Sequence, residues 1–108
     1  MKKITFTHNG VSYTLEYTRD TIRQMERQGF SIQDFERKPM TILPQMFAGA
    51  FLAHHKSVSA DVIDGIFKKM PDKSKLLEKL GEMYSEPLQT LLSEPEDNEG
   101  KVEWDANW

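Results

Sequence analysis

The stretch Lys2-Lys3-Ile4-Thr5-Phe6-Thr7-His8-Asn9-Gly10-Val11-Ser12-Tyr13-Thr14-Leu15-Glu16-Tyr17 decides the fold class. Asn9-Gly10 is the dipeptide that best tolerates the positive φ angles of a two-residue type I′ turn, so the flanking runs read as one hairpin. With those two residues as the loop, Ile4 pairs with Leu15, Phe6 with Tyr13 and His8 with Val11, all on one face. The other face sets Lys3 opposite Glu16, Thr5 opposite Thr14 and Thr7 opposite Ser12. One face is apolar and the other polar, and its only charged pair has opposite signs, so turn chemistry and patterning agree on one register. An isolated hairpin is marginal in water. Ile4, Phe6, Tyr13 and Leu15 therefore need helices to cover them, and the expected fold is α+β, a hairpin packed on a mostly helical body.

Beyond residue 17 the apolar period becomes helical. Thr18 or Asp20 can cap a helix that turns Ile22 and Met25 inward, with Gly29 as its C′ residue. Ser31 and Asp34 read as a capping pair opening a short turn through Phe35, which Arg37-Lys38-Pro39 ends. Thr41 reads as the cap of the most apolar segment, a helix over 42–55 with Pro44 in its first turn. That segment is apolar on nearly every side, which predicts a central helix with neighbours all around. Ser59 caps a helix over 60–69 with Asp61 at its positive end and Lys68-Lys69 at its negative end. After Pro71-Asp72 comes a long stripe, Leu76, Leu77, Leu80, Met83, Tyr84, Leu88, Leu91 and Leu92, in which Pro87 predicts a kink or break near Glu86. The body thus counts about five helices.

Charge divides the chain in two. Residues 94–108 carry six acids and one lysine, a net of −5, whereas residues 1–93 carry a net of +2. The reading is one domain over 1–93 and a flexible acidic tail over 94–108, extended and unpacked in its proline- and acid-rich part. Val102, Trp104 and Trp108 stand out against that background. Two tryptophans closing an acidic segment suit a docking peptide, or a clasp in which one of them folds back onto the body.

Composition and motifs narrow the chemistry. The 108 residues include no cysteine, which excludes disulfides and thiolate metal sites. No apolar run approaches the ~20 residues that span a bilayer, and the start lacks the apolar stretch of a signal peptide, so a soluble cytoplasmic protein is expected. His54 and His55 are adjacent on a helix and point about 100° apart, so they cannot share a metal. One is expected to face solvent and the other the core edge. Asp61 and Asp64 share a polar helix face that offers no apolar setting to separate their pKa values. No P-loop, nucleophile elbow or dinucleotide glycine pattern occurs. The expectation is a non-enzyme without cofactor, metal or small-molecule ligand. A helix-turn-helix built from 42–55, the short link 56–59 and helix 60–69 is the main rival architecture. It would present Asp61 and Asp64 to phosphate, and Arg19, Arg23, Arg27, Arg37 and Lys38 are interspersed with Glu26, Asp34 and Glu36, so nucleic acid is not the expected partner.

Four segments together carry a family resemblance: Tyr17-Thr18-Arg19-Asp20-Thr21-Ile22-Arg23-Gln24-Met25-Glu26-Arg27-Gln28-Gly29-Phe30, Lys38-Pro39-Met40-Thr41, Phe47-Ala48-Gly49-Ala50-Phe51-Leu52-Ala53-His54-His55 and Gly100-Lys101-Val102-Glu103-Trp104-Asp105-Ala106-Asn107-Trp108. They resemble the tail assembly chaperones encoded in siphophages and prophages of Gram-positive bacteria, in the short form. The resemblance implies a non-enzymatic protein of the host cytoplasm, absent from the mature virion. Such a protein coats the tape measure protein before the tail tube polymerises, and commonly has a frameshifted longer form. It transfers no catalytic or ligand residues. Read with the pattern above, Phe47, Phe51, Trp104 and Trp108 become the candidate partner-binding residues, for the tape measure protein and the tail tube protein. Met25, Met40, Met46, Met70 and Met83 would make a helix-holding surface adaptable, or simply fill the core. Self-association through helix 42–55 is a further expectation. A small DNA-binding regulator and a minor structural tail or connector protein are the alternatives.

Overall fold

A computed structural model describes residues 2–93 and 102–108. An antiparallel hairpin, β1 (Ile4–His8) and β2 (Val11–Leu15), precedes α1 (Arg19–Arg27), a 3-10 turn (Ile32–Asp34), α2 (Pro39–Gly49), α3 (Ala60–Lys69) and α4 (Lys73–Leu92). The fold is α+β with a mostly helical body. The register is the one the Asn9-Gly10 loop dictates, Ile4 with Leu15, Phe6 with Tyr13 and His8 with Val11. Both loop residues adopt positive φ, 51° and 77°. Tyr13 and Leu15 are buried and Ile4 and Phe6 half-buried, whereas Val11, beside the turn, stays exposed. Ladder geometry alternates, so the N–H groups of Thr14 and Glu16 point away from β1. They are taken by the chain after α2: Thr14 N–H donates to His55 Nε2 (3.0 Å) and Glu16 N–H to the Ala50 carbonyl (3.2 Å).

Helix termini account for most of the local detail. Thr18 caps α1 through a reciprocal pair with Thr21. Gly29 (φ 93°) closes it as a Schellman turn, with Phe30 N–H on the Met25 carbonyl and Gly29 N–H on the Glu26 carbonyl. Ser31 precedes the 3-10 turn without a side-chain capping bond, so the expected capping pair with Asp34 does not form. The central helix differs from its expected range 42–55. It starts three residues earlier because Pro39, not Thr41, opens it as a first-turn residue with no N–H to satisfy. It ends at Gly49 because the Ala50 carbonyl is diverted to β2, after which residues 51–54 form turns. Residues 50–59 therefore separate α2 from α3 in place of the short link that a helix-turn-helix requires. Ser59 caps α3 as expected, its Oγ accepting from Val62 N–H. Asp72, in the left-handed region (φ 50°), caps α4, its Oδ1 accepting from Lys75 N–H at 3.3 Å.

α4 runs through Pro87 without the break that was one of the two expected outcomes, a kink or a break near Glu86. The proline deletes one donor, to Met83 C=O, in the outer part of a long helix anchored on the core by Leu76, Leu80, Met83 and Tyr84. The core is strongly aromatic. Phe47, Phe51, Tyr13 and Phe6 form one run with ring centroids 5.2, 5.8 and 5.3 Å apart. Tyr84 meets Tyr17 and Phe30 edge-on at 5.3 and 5.7 Å. Tyr17 Oη donates to the Met46 carbonyl at 2.6 Å, which ties the end of the hairpin to α2 inside the core. No helix among the described residues is long and apolar enough to cross a membrane. Residues 94–101, where most of the extended acidic tail was expected, lie outside the described residues. Residues 102–108 have no regular secondary structure.

Candidate interaction surfaces

The α1–α2 contact borders an apolar concavity. Gly49 admits the Met25 side chain so closely that a Cβ there would sit 2.5 Å from its Sδ and Cε. Beside that contact, α1, α2, α3 and the 50–59 connection leave a groove of about 280 Å³. Met25, Phe30, Ala48, Leu52, Val58 and Ile63 make its wall apolar, and Gln28 and Gln45 stand among them. A concavity of this lining suits the apolar stripe of an amphipathic helix, because it removes hydrocarbon from water with few directional demands. Further apolar surface is exposed at the end of α4, on Leu88, Leu91 and Leu92.

The expected partner residues fall into two groups. Phe47 and Phe51 are each 1 % exposed, at the centre of the aromatic run, so no partner meets them in this fold. The segment that carries them, the end of α2 and the turn after it, is apolar on nearly every side, and nothing in its pattern separates wall from centre. Trp104 is 84 % exposed and Trp108 fully so, and neither packs on the body. Met25, Met46 and Met83 are core residues, Met70 is half-buried, and Met40 projects into solvent. Leu52 and Val58, on the groove wall, were not singled out in the sequence. Val58 lies in what reads as a connector, and its lone apolar side chain in Lys56-Ser57-Val58-Ser59 was the available signal.

Glu16 is buried (5 % exposed) in place of its expected position opposite Lys3. Its Oε1 hydrogen-bonds His54 Nε2 at 2.5 Å, and Oε2 has no partner among the described residues. The His55 ring lies against Tyr13 at 5.1 Å and is half-buried, whereas His54 is the more exposed of the two. Asp61 and Asp64 are exposed on α3. In the basic cluster Arg23 pairs with Asp20 (3.1 Å) and Arg37 with the half-buried Asp34 (3.8 Å), each between neighbours three residues apart. Burial holds the Tyr17 phenol far above its ordinary range, with the neighbouring Tyr84 adding to the effect. Burial also raises Tyr84, and the charge of Glu26 adds to it.

Residues 1–108 match the family model described as Domain of unknown function (DUF5055). No curated protein and no solved structure matches the chain.

Proposed function

We propose that this chain, which belongs to the DUF5055 family, is a non-enzymatic tail assembly chaperone that holds amphipathic segments of a phage tape measure protein until the tail tube encloses them. The observation that carries the reading is the apolar groove between α1, α2 and α3, taken with the resemblance of the chain to such chaperones. A tape measure is a long helical protein whose apolar stripe aggregates when uncovered, and a small domain offering a concave apolar wall can cover it one segment at a time. Exposed Leu88, Leu91 and Leu92 extend the apolar surface. The acid of residues 94–108 adds solubility to a loaded complex. The tail tube protein and a frameshifted longer form of the chain are the further partners this reading implies, and the host cytoplasm is its compartment. The DNA-binding alternative is weakened by the long 50–59 connection.

Co-expression with the tape measure protein of the same gene cluster tests the proposal. The expected result is soluble tape measure that co-purifies with this chain, and loss of both effects with Val58→Asp at the groove wall. Tape measure that is equally insoluble with and without the chain, with no complex recovered, overturns it.

A further inference from the structure

The hairpin leaves one edge open. β2 is sealed by Ala50 and His55, but among the described residues no backbone group pairs with the outer edge of β1, which presents the N–H and C=O groups of Lys3, Thr5 and Thr7. Unpaired edges recruit strands unless something deters them. Beside this edge lies a second groove of about 420 Å³, between the start of β1 and α4, where Ile4 and Met83 contribute apolar wall and Lys2, Lys3 and Lys79 contribute positive charge. Glu82, 3.7 Å from Lys79, also lines it, and Glu86 Oε1 accepts the backbone N–H of Lys2.

The only described segment without regular structure at the end of the chain has the complementary pattern. In Val102-Glu103-Trp104-Asp105-Ala106-Asn107-Trp108 apolar and polar residues alternate without a break, the signature of a strand with one buried face. Val102 and Trp104 are both about 85 % exposed. We infer that residues 102–106 of a second copy of this chain add to the β1 edge as a third, antiparallel strand, each copy lending its strand to the other. A register that sets Ile4 across from Trp104 also sets Phe6 across from Val102, Lys3 across from Asp105 and Thr5 across from Glu103. Apolar then meets apolar over the groove, and the acids fall beside Lys3 on the solvent face. The Ile4–Trp104 and Phe6–Val102 pairs are the non-hydrogen-bonded ones, where side chains pack closest.

Charge selects this occupant. Like-with-like pairing of two β1 edges would set Lys3 of one copy near Lys3 of the other, whereas a segment bearing Glu103 and Asp105 brings opposite charge beside Lys3. The exchange belongs to two copies because, among the described residues of one chain, nothing pairs with the β1 edge while Val102 and Trp104 stay in water. Reciprocal lending satisfies both edges about a two-fold axis. The inference is independent of the tape-measure reading and concerns a different face.

Because the chain has no cysteine, paired cysteines test it on a clean background. Directly opposed hydrogen-bonded residues have Cα atoms about 5.5 Å apart, within the range a disulfide spans. The double variant Thr5→Cys/Glu103→Cys, both positions exposed, is oxidised at low salt and run without reductant. A covalent dimer is expected, with a yield that falls as salt rises. An intramolecular disulfide in a monomer overturns the proposal, and so does the absence of any disulfide. Ser12→Cys/Glu103→Cys, on the sealed strand, is expected to stay unlinked; equal linking overturns the register. In sedimentation, the unmodified protein is expected to dimerise and Trp104→Asp to be monomeric with an unchanged far-ultraviolet spectrum. A monomeric unmodified protein over the same concentrations overturns the proposal.

Discussion

Glu16 shows how far a single residue can depart from the pattern of its own strand. By alternation it belongs on the solvent face opposite Lys3, yet it is buried, with its backbone on Ala50 and one carboxyl oxygen on His54. His54→Ala leaves that oxygen buried and unpartnered, a loss of about 1–3 kcal/mol in urea unfolding. Adding Glu16→Leu to it is expected to cost less than the two single changes together, because the coupled groups leave as a unit. Tyr17 makes a second residue-scale prediction. Its phenol and that of Tyr84 are raised above the ordinary 10.0 in the fold. As pH climbs past 10.0 the unfolded chain releases these protons while the folded chain retains them, so stability falls with rising pH. Phenolate absorbance from these two tyrosines is expected only together with loss of helical signal, and Tyr17→Phe is expected to flatten the alkaline decline.

At the scale of elements, caps were easier to read than lengths. Thr18, Gly29 and Ser59 declare α1 and α3 because capping is local chemistry between residues three to six apart. The C-terminal end of α2 is set by a remote partner, the chain at the end of β2 that takes the Ala50 carbonyl, so no local pattern reports it. Pro87 does not break α4 for the reverse reason: a local penalty of about 3 kcal/mol is outweighed by the core contacts of the rest of the helix. Asp72 combines two local demands, a positive φ and a side-chain acceptor. Asp72→Asn is expected to keep both and leave the urea midpoint nearly unchanged. Asp72→Gly keeps the backbone and loses a few tenths of a kcal/mol, and Asp72→Ala loses both, about 1–3 kcal/mol.

For the whole molecule, the uneven charge has a structural counterpart. The body of net +2 holds the aromatic core and both grooves, and the exposed tryptophans belong to the segment of net −5. None of the core residues comes from 102–108. A chain ending at residue 93 is therefore expected to unfold in one cooperative step with the midpoint of the full chain, measured by urea titration at dilute protein, where association contributes nothing. A clearly lower midpoint would place part of the fold in the removed residues.

The sequence by itself determined the hairpin, its register, the helical character of the body, the caps of α1 and α3 and the split of charge. Each of these follows from φ preferences, periodicity or composition within a few residues. Only the tertiary structure decided that Phe47 and Phe51 are core while Leu52 and Val58 line a groove, that Glu16 is buried, and that β2 is sealed while, among the described residues, nothing covers the β1 edge. These depend on which surfaces meet across tens of residues, and a helix apolar on every side carries no mark of which side its neighbours will take.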